Sequence, residues 1–401
     1  MKPKIRIKGF NDAWEYSYLY NCLEISTEVN KENKYGKDEV LSVSDDFGVV
    51  NQIKHLGRSY AGKSVSGYKI LLPGQIVYTK SPLRDKPFGI IKENNYQAGI
   101  VSVLYAVYNV KEGIFSKYIQ RYFEPKQRIN KYLVPLVNKG AKNTMNISDE
   151  MSLNSKITKP VTICEQQAIC SYFDKVDELI STASSRLASL KQVKEASLQA
   201  MFPQKGETVP KIRFKGFEGE WVITKAAEIF KTVNERNFSG LPVLSATQDK
   251  GMVTRESIGY NIFHDKANES TYKHIRPGQF VMHLRSFQGG FAHSAIEGIC
   301  SPAYTIMEFK DKEVNHDLYW KYVLASKRFI KSLEMITYGI RDGRTISFDE
   351  FKEMVFLVPK VEEQQHIASY FTSLDKQIAL QTQRLEKLRQ IKAACLDKMF
   401  V

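Results

Sequence analysis

Residues 165–202 read EQQAICSYFDKVDELISTASSRLASLKQVKEASLQAMF, and residues 363–400 read EQQHIASYFTSLDKQIALQTQRLEKLRQIKAACLDKMF. These two segments align without a gap and are identical at about half of their positions. A second block is repeated in the same order, because PKIRIKGF at 3–10 returns as PKIRFKGF at 210–217. The chain between the repeated blocks matches only in outline. A duplicated framework with divergent segments predicts one protein that recognises two different ligands.

Both long segments are predicted to be helices that pack on each other. Neither contains an internal proline or glycine, and their apolar residues recur at alternating steps of three and four for about three heptads. A helix of this length extends about 57 Å, so each copy is the natural partner of the other. An internal two-fold axis would make the pair antiparallel, and without that symmetry a parallel pair stays open. The predicted seam residues are Ile169, Phe173, Val176, Ile180, Ala183, Leu187 and Leu190 in the first copy, and Ile367, Phe371, Leu374, Ile378, Gln381, Leu385 and Leu388 in the second.

Two lysines interrupt the predicted seam at equivalent positions. Lys194 and Lys392 stand where the heptad pattern requires an apolar residue. We expect their side chains to extend toward water while Val193 and Ile391 take over the seam. The alternative is that a polar residue at such a position fixes the register of the helices at some cost in stability.

The segments before each long helix are predicted to be modules of one mixed α/β fold. Each carries a Pro-Gly-Gln turn that leads into an apolar strand, at Pro73–Tyr78 and Pro277–Met282. The fold class is therefore α+β, with two mixed α/β modules, two long antiparallel helices and an internal pseudo-two-fold repeat. The predicted domains are a first module at 1–160, a first helix at 161–206, a second module at 207–358 and a second helix at 359–401.

The charge of the chain indicates a polyanionic partner. Its 58 lysines and arginines exceed its 44 aspartates and glutamates, which gives a formal net charge of +14 over 401 residues. Such an excess favours nucleic acid as a ligand. The five cysteines form no Cys-x-x-Cys pair, which argues against a disulfide framework and against a structural zinc site. The N-terminus has no signal-peptide pattern and no apolar stretch is long enough to span a bilayer, so the protein is expected in the cytoplasm.

One segment matches a nucleotide-binding motif. Gly57–Ser64, which reads GRSYAGKS, fits the phosphate-binding loop pattern Gly-x-x-x-x-Gly-Lys-Ser. That loop requires a buried strand before it and a helix after it, whereas the preceding residues are polar and the following residues predict strands. The second module has no counterpart. We interpret the segment as a surface loop in which Lys63 or Arg58 touches a phosphate backbone, with a nucleotide site as the alternative.

Two loops in each module combine basic residues with glycine or small polar residues. Arginine reads guanine edges, asparagine and glutamine read adenine, and lysine holds phosphates. A solvated surface charge is the plain alternative for any one of these residues. The candidate DNA-binding residues are Lys80, Arg84, Lys86, Lys139, Lys142 and Asn143 in the first module, and Arg285, Gln288, Arg341 and Arg344 in the second.

Over its whole length the chain resembles the specificity subunits of type I DNA restriction-modification enzymes. The resemblance rests on the helix starts EQQAICSYF at 165–173 and EQQHIASYF at 363–371. It rests also on the module openings at 4–14 and 211–221, each of which ends in tryptophan, and on the Pro-Gly-Gln strands. Each motif is modest alone, but their duplication in the same order makes the resemblance specific.

The resemblance implies a set of roles and partners. Each module would be a target-recognition domain for one half of a split DNA site, and the helices an antiparallel coiled coil that acts as a spacer. Methyltransferase subunits, two in number, would dock on the repeated helices, and restriction subunits would join them. This chain would be non-catalytic and bind no cofactor, with S-adenosylmethionine on the methyltransferase subunit and ATP with Mg²⁺ on the restriction subunit. The complex would be a site-specific deoxyribonuclease and adenine DNA methyltransferase.

Two other functions stay open at the level of sequence. An enzyme acting by itself, either an NTPase at Gly57–Ser64 or a methyltransferase or nuclease with unrecognised motifs, would show catalysis by the chain alone. A coiled-coil scaffold that binds only proteins would show no salt-sensitive affinity for DNA.

Overall fold

The chain folds into two compact units of mixed α and β structure, which confirms the predicted α+β class. The computed structural model describes residues 1–83, 86–139, 145–247, 250–258, 266–282, 290–336 and 347–400. Unit 1 comprises Met1–Ser184 together with Gln383–Val401, and unit 2 comprises Ser185–Thr382. Each long helix therefore contributes residues to both units.

Unit 1 contains a four-stranded antiparallel sheet and several strand pairs. Its strands are β1 (Glu15–Tyr18), β2 (Leu23–Ile25), β3 (Leu41–Ser44), β4 (Gly48–Asn51), β5 (Lys69–Leu71), β6 (Ile76–Tyr78), β7 (Ile91–Glu93), β8 (Gly99–Val101), β9 (Ala106–Val110), β10 (Asn138–Lys139), β11 (Met145–Asn146) and β12 (Lys156–Lys159). Its helices are α1 (Gln52–Leu56), α2 (Ser116–Phe123), α3 (Lys126–Leu133) and the start of α4 (Ile163–Ala200). The large sheet has the order β2-β9-β6-β7, and the pairs are β3-β4, β5-β8, β1-β12 and β10-β11.

Unit 2 repeats this topology. Its strands are β13 (Val222–Lys225), β14 (Phe230–Val233), β15 (Val243–Thr247), β16 (Gly251–Thr254), β17 (Lys273–Ile275), β18 (Phe280–Met282), β19 (Ala292–His293), β20 (Gly298–Cys300), β21 (Thr305–Phe309) and β22 (Val355–Val358). Its helices are α5 (Ala226–Ile229), α6 (Asp317–Leu324), α7 (Lys327–Ile336), α8 (Phe348–Phe351) and the start of α9 (Val361–Lys398). The sheet β14-β21-β18-β19 is the equivalent of β2-β9-β6-β7, and β13-β22 is the equivalent of β1-β12.

The strand that follows each Pro-Gly-Gln turn lies between two apolar clusters. In β6 all three side chains are buried, with Ile76 and Tyr78 in one cluster and Val77 in another. In β18, Met282 joins one cluster and Val281 another in the same alternation. Successive side chains of a strand point to opposite faces, so an apolar run of this kind belongs in the middle of a covered sheet. The predicted turn-and-strand pattern is confirmed in both units.

Both predicted long helices are confirmed, each with 38 residues and each starting two residues before the repeated segment. Their segments run antiparallel within each unit, because partners later in α4 meet partners earlier in α9. No helix in the described ranges is both long enough and apolar enough to cross a membrane. The contacts that define the antiparallel direction are Tyr172–Cys395 and Asp177–Lys392 in unit 1, and Lys194–Asp375 and Ser197–Tyr370 in unit 2.

Lys194 and Lys392 face the other long helix, which is the position that was expected for Val193 and Ile391. Val193 is 46% exposed and Ile391 is 39% exposed, so the expectation that they take over the seam is wrong. Lys194 and Lys392 instead turn toward the facing helix and form ion pairs with its carboxylates. An aspartate on the facing helix compensates the charge of each ammonium group.

The end of each long helix packs into the core that contains the start of the other. In unit 1, Phe400 stacks on Phe173 with ring centroids 6.1 Å apart and meets Trp14 edge-on at 6.4 Å. In unit 2, Phe202 stacks on Phe371 at 6.1 Å and meets Trp221 at 6.2 Å. The repeated Tyr-Phe, Met-Phe and tryptophan residues of the sequence therefore form an equivalent aromatic cluster in each unit.

Candidate nucleic-acid interface

Lys80 lies in the loop that follows the central strand β6 of unit 1. Its backbone has a positive φ of 48°, which is uncommon for a residue other than glycine. Its Nζ pairs with Asp149 Oδ1 at 2.5 Å, and Lys69 Nζ pairs with the other oxygen at 2.6 Å. Burial alone would raise the pKa of the Asp149 carboxyl, but the two lysines outweigh it and hold that pKa below its ordinary value. One carboxylate shared by two lysines leaves a net positive charge at this loop.

Lys86, at the other end of the same loop, shares its carboxylate partner with a second lysine. Its Nζ lies 2.7 Å from Asp45 Oδ1, and Lys92 Nζ lies 3.3 Å from the same oxygen. Burial would raise the pKa of Asp45, but the two ammonium groups lower it overall. Burial lowers the pKa of Lys92 despite its acidic partner. Lys86 itself is buried, and its Nζ also donates to the backbone oxygen of Glu124 at 3.4 Å.

One of the remaining predicted contacts has a described backbone, and seven lie outside the described ranges. Lys139 pairs through its backbone with Met145 in the short β10–β11 ladder, and only this backbone position is described. The residues that lie outside the described ranges are Arg84, Lys142, Asn143, Arg285, Gln288, Arg341 and Arg344.

The Gly57–Ser64 segment does not have the surroundings of a phosphate-binding loop. A helix, α1, precedes it, and Gly57 ends that helix in the left-handed region with φ of 77°. Turns and then strand β5 follow it. A nucleotide loop needs the reverse order, with its amides at the start of the following helix, so the expectation of a surface loop is confirmed.

Exposed aromatic and basic side chains cluster around α1, and sequence reasoning missed most of them. Phe47 is 68% exposed and packs edge-on against His55, with ring centroids 5.2 Å apart. Tyr60 is 60% exposed, and the Arg58 guanidinium carbon lies 4.6 Å from its ring centre. Exposed rings beside arginine are the groups on which nucleic-acid bases stack. The spacing Arg-Ser-Tyr was the available signal, although the nucleotide-motif match drew attention away from it.

The repeated module openings and helix starts bind each other. In unit 1, Arg6 donates from Nε and Nη2 to the two oxygens of Glu165 at 2.7 and 2.8 Å, and Trp14 Nε1 donates to Glu165 at 3.1 Å. In unit 2, Arg213 grips Glu363 in the same way, with both distances 2.7 Å. A bidentate guanidinium–carboxylate pair has a fixed geometry. Each pair therefore fastens the start of a module to the start of its helix.

The glutamine after each of these glutamates holds a second part of the module. Gln166 accepts a hydrogen bond from Phe115 N at 2.9 Å and donates to Gly113 O at 3.2 Å. Gln364 accepts from His316 N at 2.9 Å and donates to Val314 O at 3.0 Å. These contacts fix the loop before α2 in unit 1 and the loop before α6 in unit 2. The Glu-Gln pair at each helix start is therefore a joint that positions the recognition module.

The described residues hold no prepared metal site, and two of the buried cysteines have thiols of low reactivity. No group of three or more His, Cys, Asp and Glu side chains in the described part is arranged to hold a metal ion. Cys170 and Cys300 are buried, and this burial raises the pKa of each thiol to about 12. Both are protonated near neutral pH and are weak nucleophiles.

Comparisons with known proteins agree with this geometry. Residues 218–390 match the Type I restriction modification DNA specificity domain. No curated protein sequence matches the chain. Among solved structures, the S subunit of a type I restriction-modification system from M. genitalium is 13% identical, with a TM-score of 0.59 over 100% of this chain and 99% of that chain.

A second structural match covers nearly the whole chain. It is a chain from a structure of complex assembly and conformational transition of the type I R-M system, with 14% identity and a TM-score of 0.50 over 96% of this chain and 97% of that chain. At this level of identity the likeness shows the fold, and the matched domain supplies the family. Residues 218–390 therefore belong to the DNA-specificity domain family of type I restriction-modification systems.

Proposed function

We propose that this specificity subunit reads a split DNA site, with residues 1–160 reading one half and residues 207–358 the other. The observation that carries the proposal is a repeated topology with different sequences after equivalent strands. KSPLRDK follows β6, whereas LRSFQGG starts two residues after β18. Loops on a common scaffold carry recognition. Two equivalent scaffolds with different loops therefore read two different base sequences.

The proposed DNA contacts are the basic residues of these loops. Lys80 shares Asp149 with Lys69, so a phosphate could take Lys80 while Lys69 keeps the aspartate neutralised. Lys86 stays in the proposed set although its side chain is buried beside Asp45. Arg84, Lys139, Lys142 and Asn143 complete the set in the first module. The net charge of +14 supports attraction to DNA. In the second module the proposed contacts are Arg285, Gln288, Arg341 and Arg344.

The long helices are proposed to set the gap between the half-sites. Each has 38 residues, which corresponds to about 57 Å of helix. Two modules separated by rods of this order can sit about one turn of DNA, ~34 Å, apart. Residues 161–206 and 359–401 have the length for this role.

The partners are proposed on the basis of family membership. Two methyltransferase subunits would dock on the repeated helices, one for each copy, and restriction subunits would join them on double-stranded DNA. We propose that this chain carries no catalytic group and that S-adenosylmethionine, ATP and Mg²⁺ belong to those partners. Its proposed target is cellular DNA, which places its activity in the cytoplasm.

Methylation mapping tests the proposal. The chain is expressed with its cognate methyltransferase subunits in a host without other adenine methylation, and methylated positions are read by single-molecule sequencing. We expect one motif made of two short defined halves separated by an unread gap. A continuous motif, or methylation without sequence preference, would contradict the split-site proposal. Catalysis by the purified chain alone would instead support an enzyme acting by itself.

A further inference from the structure

Asp375 in unit 2 lies where the recognition module meets both long helices. Its Oδ1 pairs with Lys194 Nζ of α4 at 2.5 Å, and its Oδ2 accepts a hydrogen bond from the Tyr322 hydroxyl of α6 at 2.8 Å. Lys194 Nζ also lies 5.6 Å from the centre of the Tyr322 ring. Asp375 belongs to α9, so one carboxylate joins the module helix α6 to α4 and α9.

The equivalent aspartate of unit 1 makes the same three-way junction. Asp177 of α4 pairs with Lys392 of α9 at 2.8 Å and with Arg121 of the module helix α2 at 2.7 Å. Asp177 aligns with Asp375, and Lys392 aligns with Lys194, in the ungapped repeat. Arg121 and Tyr322 occupy the same position of the module helix, each six residues after its N-cap residue, Phe115 in α2 and His316 in α6. Both units therefore contain this junction, but the side chain that the module contributes is arginine in unit 1 and tyrosine in unit 2.

The two junctions differ in how many acids support them. In unit 1, Arg121 also pairs with Glu124 and Asp174, both at 2.8 Å, and Lys392 also pairs with Glu124. In unit 2, Asp375 is the carboxylate that pairs with Lys194 among the described residues. Loss of the aspartate would therefore leave the cations of unit 1 partly compensated, whereas in unit 2 it would remove both arms of the junction.

We propose that Asp375 and Asp177 are positioning residues that set the angle of each recognition module on the helix pair, and thereby its base discrimination. The inference rests on the proposed function. Glu363 already fastens the module at the helix start, and Asp375 lies twelve residues further along, which is about 18 Å of helix. Glu363 and Gln364 hold the module at one level of α9, and Asp375 adds a second level, so the module resists tilting about the helix start. Hydrogen bonds to base edges are directional, so a small pivot weakens discrimination before it weakens folding.

Tyr322→Phe tests the module arm by itself. It removes the hydroxyl but keeps the ring and the Lys194–Asp375 pair. The readout is the ratio of methylation rates on the correct site and on sites with one wrong base in either half, measured with the assembled complex. We expect the ratio for the half read by residues 207–358 to fall about three- to tenfold, as for a residue that acts on the ligand through its neighbours, while the other half keeps its wild-type ratio.

Tyr370→Phe is the matched control. Its hydroxyl lies 2.9 Å from Ser197 Oγ and joins α4 to α9 without a module partner. It should leave both ratios at the wild-type value. Asp177→Asn should affect only the half read by residues 1–160, and less than Asp375→Asn affects the other half, because acids remain around Arg121.

A double variant that exchanges the charges of Lys194 and Asp375 tests the two contacts of Asp375 separately. Lys194→Asp combined with Asp375→Lys restores the pair between α4 and α9 but removes from α9 the carboxylate that accepts the hydrogen bond of Tyr322. We expect its Tm to return toward wild type while discrimination in the second half stays low.

The outcomes distinguish this inference from the function on which it rests. A wild-type complex without sequence-specific methylation would overturn both. A specific wild-type complex in which Tyr322→Phe leaves both ratios unchanged, or lowers them equally, would overturn the junction alone. Full discrimination in the charge-exchanged variant would overturn it as well.

Discussion

The carboxylate of Glu165 accepts three hydrogen bonds although its side chain is almost fully buried. Its partners, Arg6 and Trp14, precede it by more than 150 residues. The repeat identified these letters as important, but their pairing could not be predicted, because only the fold brings the start of the module to the start of the helix. Lys194 shows the same limit, since its partner Asp375 lies on the other helix.

Removal of Arg6 should destabilise the protein strongly. Arg6→Ala leaves the buried Glu165 without its guanidinium partner, and breaking such a pair costs about 3 kcal/mol. Lys8→Ala, an exposed position in the same segment, should change the free energy of unfolding by less than about 0.5 kcal/mol. Urea denaturation measures both. Equal effects of the two variants would mean that the clamp contributes no stability.

The shared lysines allow a direct test of the proposed phosphate contacts. Lys80→Gln and Lys69→Gln each remove one of the two lysines on Asp149, but only Lys80 lies in the recognition loop. Lys80→Gln should reduce the slope of log K against log salt by about 0.9, the loss of one phosphate contact. Lys69→Gln keeps the ammonium group of Lys80 and should lower the slope by less than Lys80→Gln does. The measurement is DNA binding by the assembled complex between about 50 and 200 mM salt, and identical slopes would remove Lys80 from the interface.

The half-buried carboxylate of Glu124 in unit 1 predicts that the protein loses stability as the pH falls. Burial would raise the pKa of Glu124, but Lys392 and Arg121 outweigh it and hold the pKa below the ordinary value of 4.5. Because the folded pKa is depressed, this stabilisation is complete above the unfolded value and is lost as pH falls through the folded one. Glu124→Gln should therefore be less stable than wild type at pH 7, and the difference should shrink below about pH 4.5. The exposed Glu112→Gln should follow the wild-type curve in urea titrations across this range.

At the scale of elements, the long helices were predictable because a heptad pattern without proline or glycine leaves few alternatives. The antiparallel direction followed from the symmetry of the repeat. The seam lysines were interpreted wrongly, since the heptad pattern describes one helix and gives no information about the acids on its partner. Seven of the proposed DNA contacts lie outside the described residues, so their roles stay predictions.

Insertion of one heptad into each helix tests whether the helices set the gap. Seven residues placed after Ser184 and seven after Thr382 fall at the boundary between the units and leave both aspartate junctions intact. The insert adds about 10 Å of helix and keeps the seam in phase. The unread gap should grow by about three base pairs at ~3.4 Å each, while both half-sites stay the same. Methylation mapping would contradict the spacer role if the motif kept its old spacing.

At the scale of the whole molecule, the duplication was visible in the sequence. Which residues form each unit was not. Unit 1 takes its last residues, Gln383–Val401, from the end of the chain. The reason is that α9 runs antiparallel to α4 and delivers Phe400 to Trp14. The base sequence that each module reads is also beyond prediction, because it depends on loop side chains that the repeat does not constrain.

The central claim is that two equivalent modules read the two halves of one site, and replacement of one module by the other tests it most directly. Residues 10–160 are replaced by a second copy of residues 217–358, and the chain is expressed with its cognate methyltransferase subunits. Co-purification with those subunits confirms that the variant folds. We predict that the methylated motif becomes an inverted repeat of one wild-type half-site with the gap unchanged. An assembled, active complex that methylates the original motif, or one without two-fold symmetry, would contradict the account.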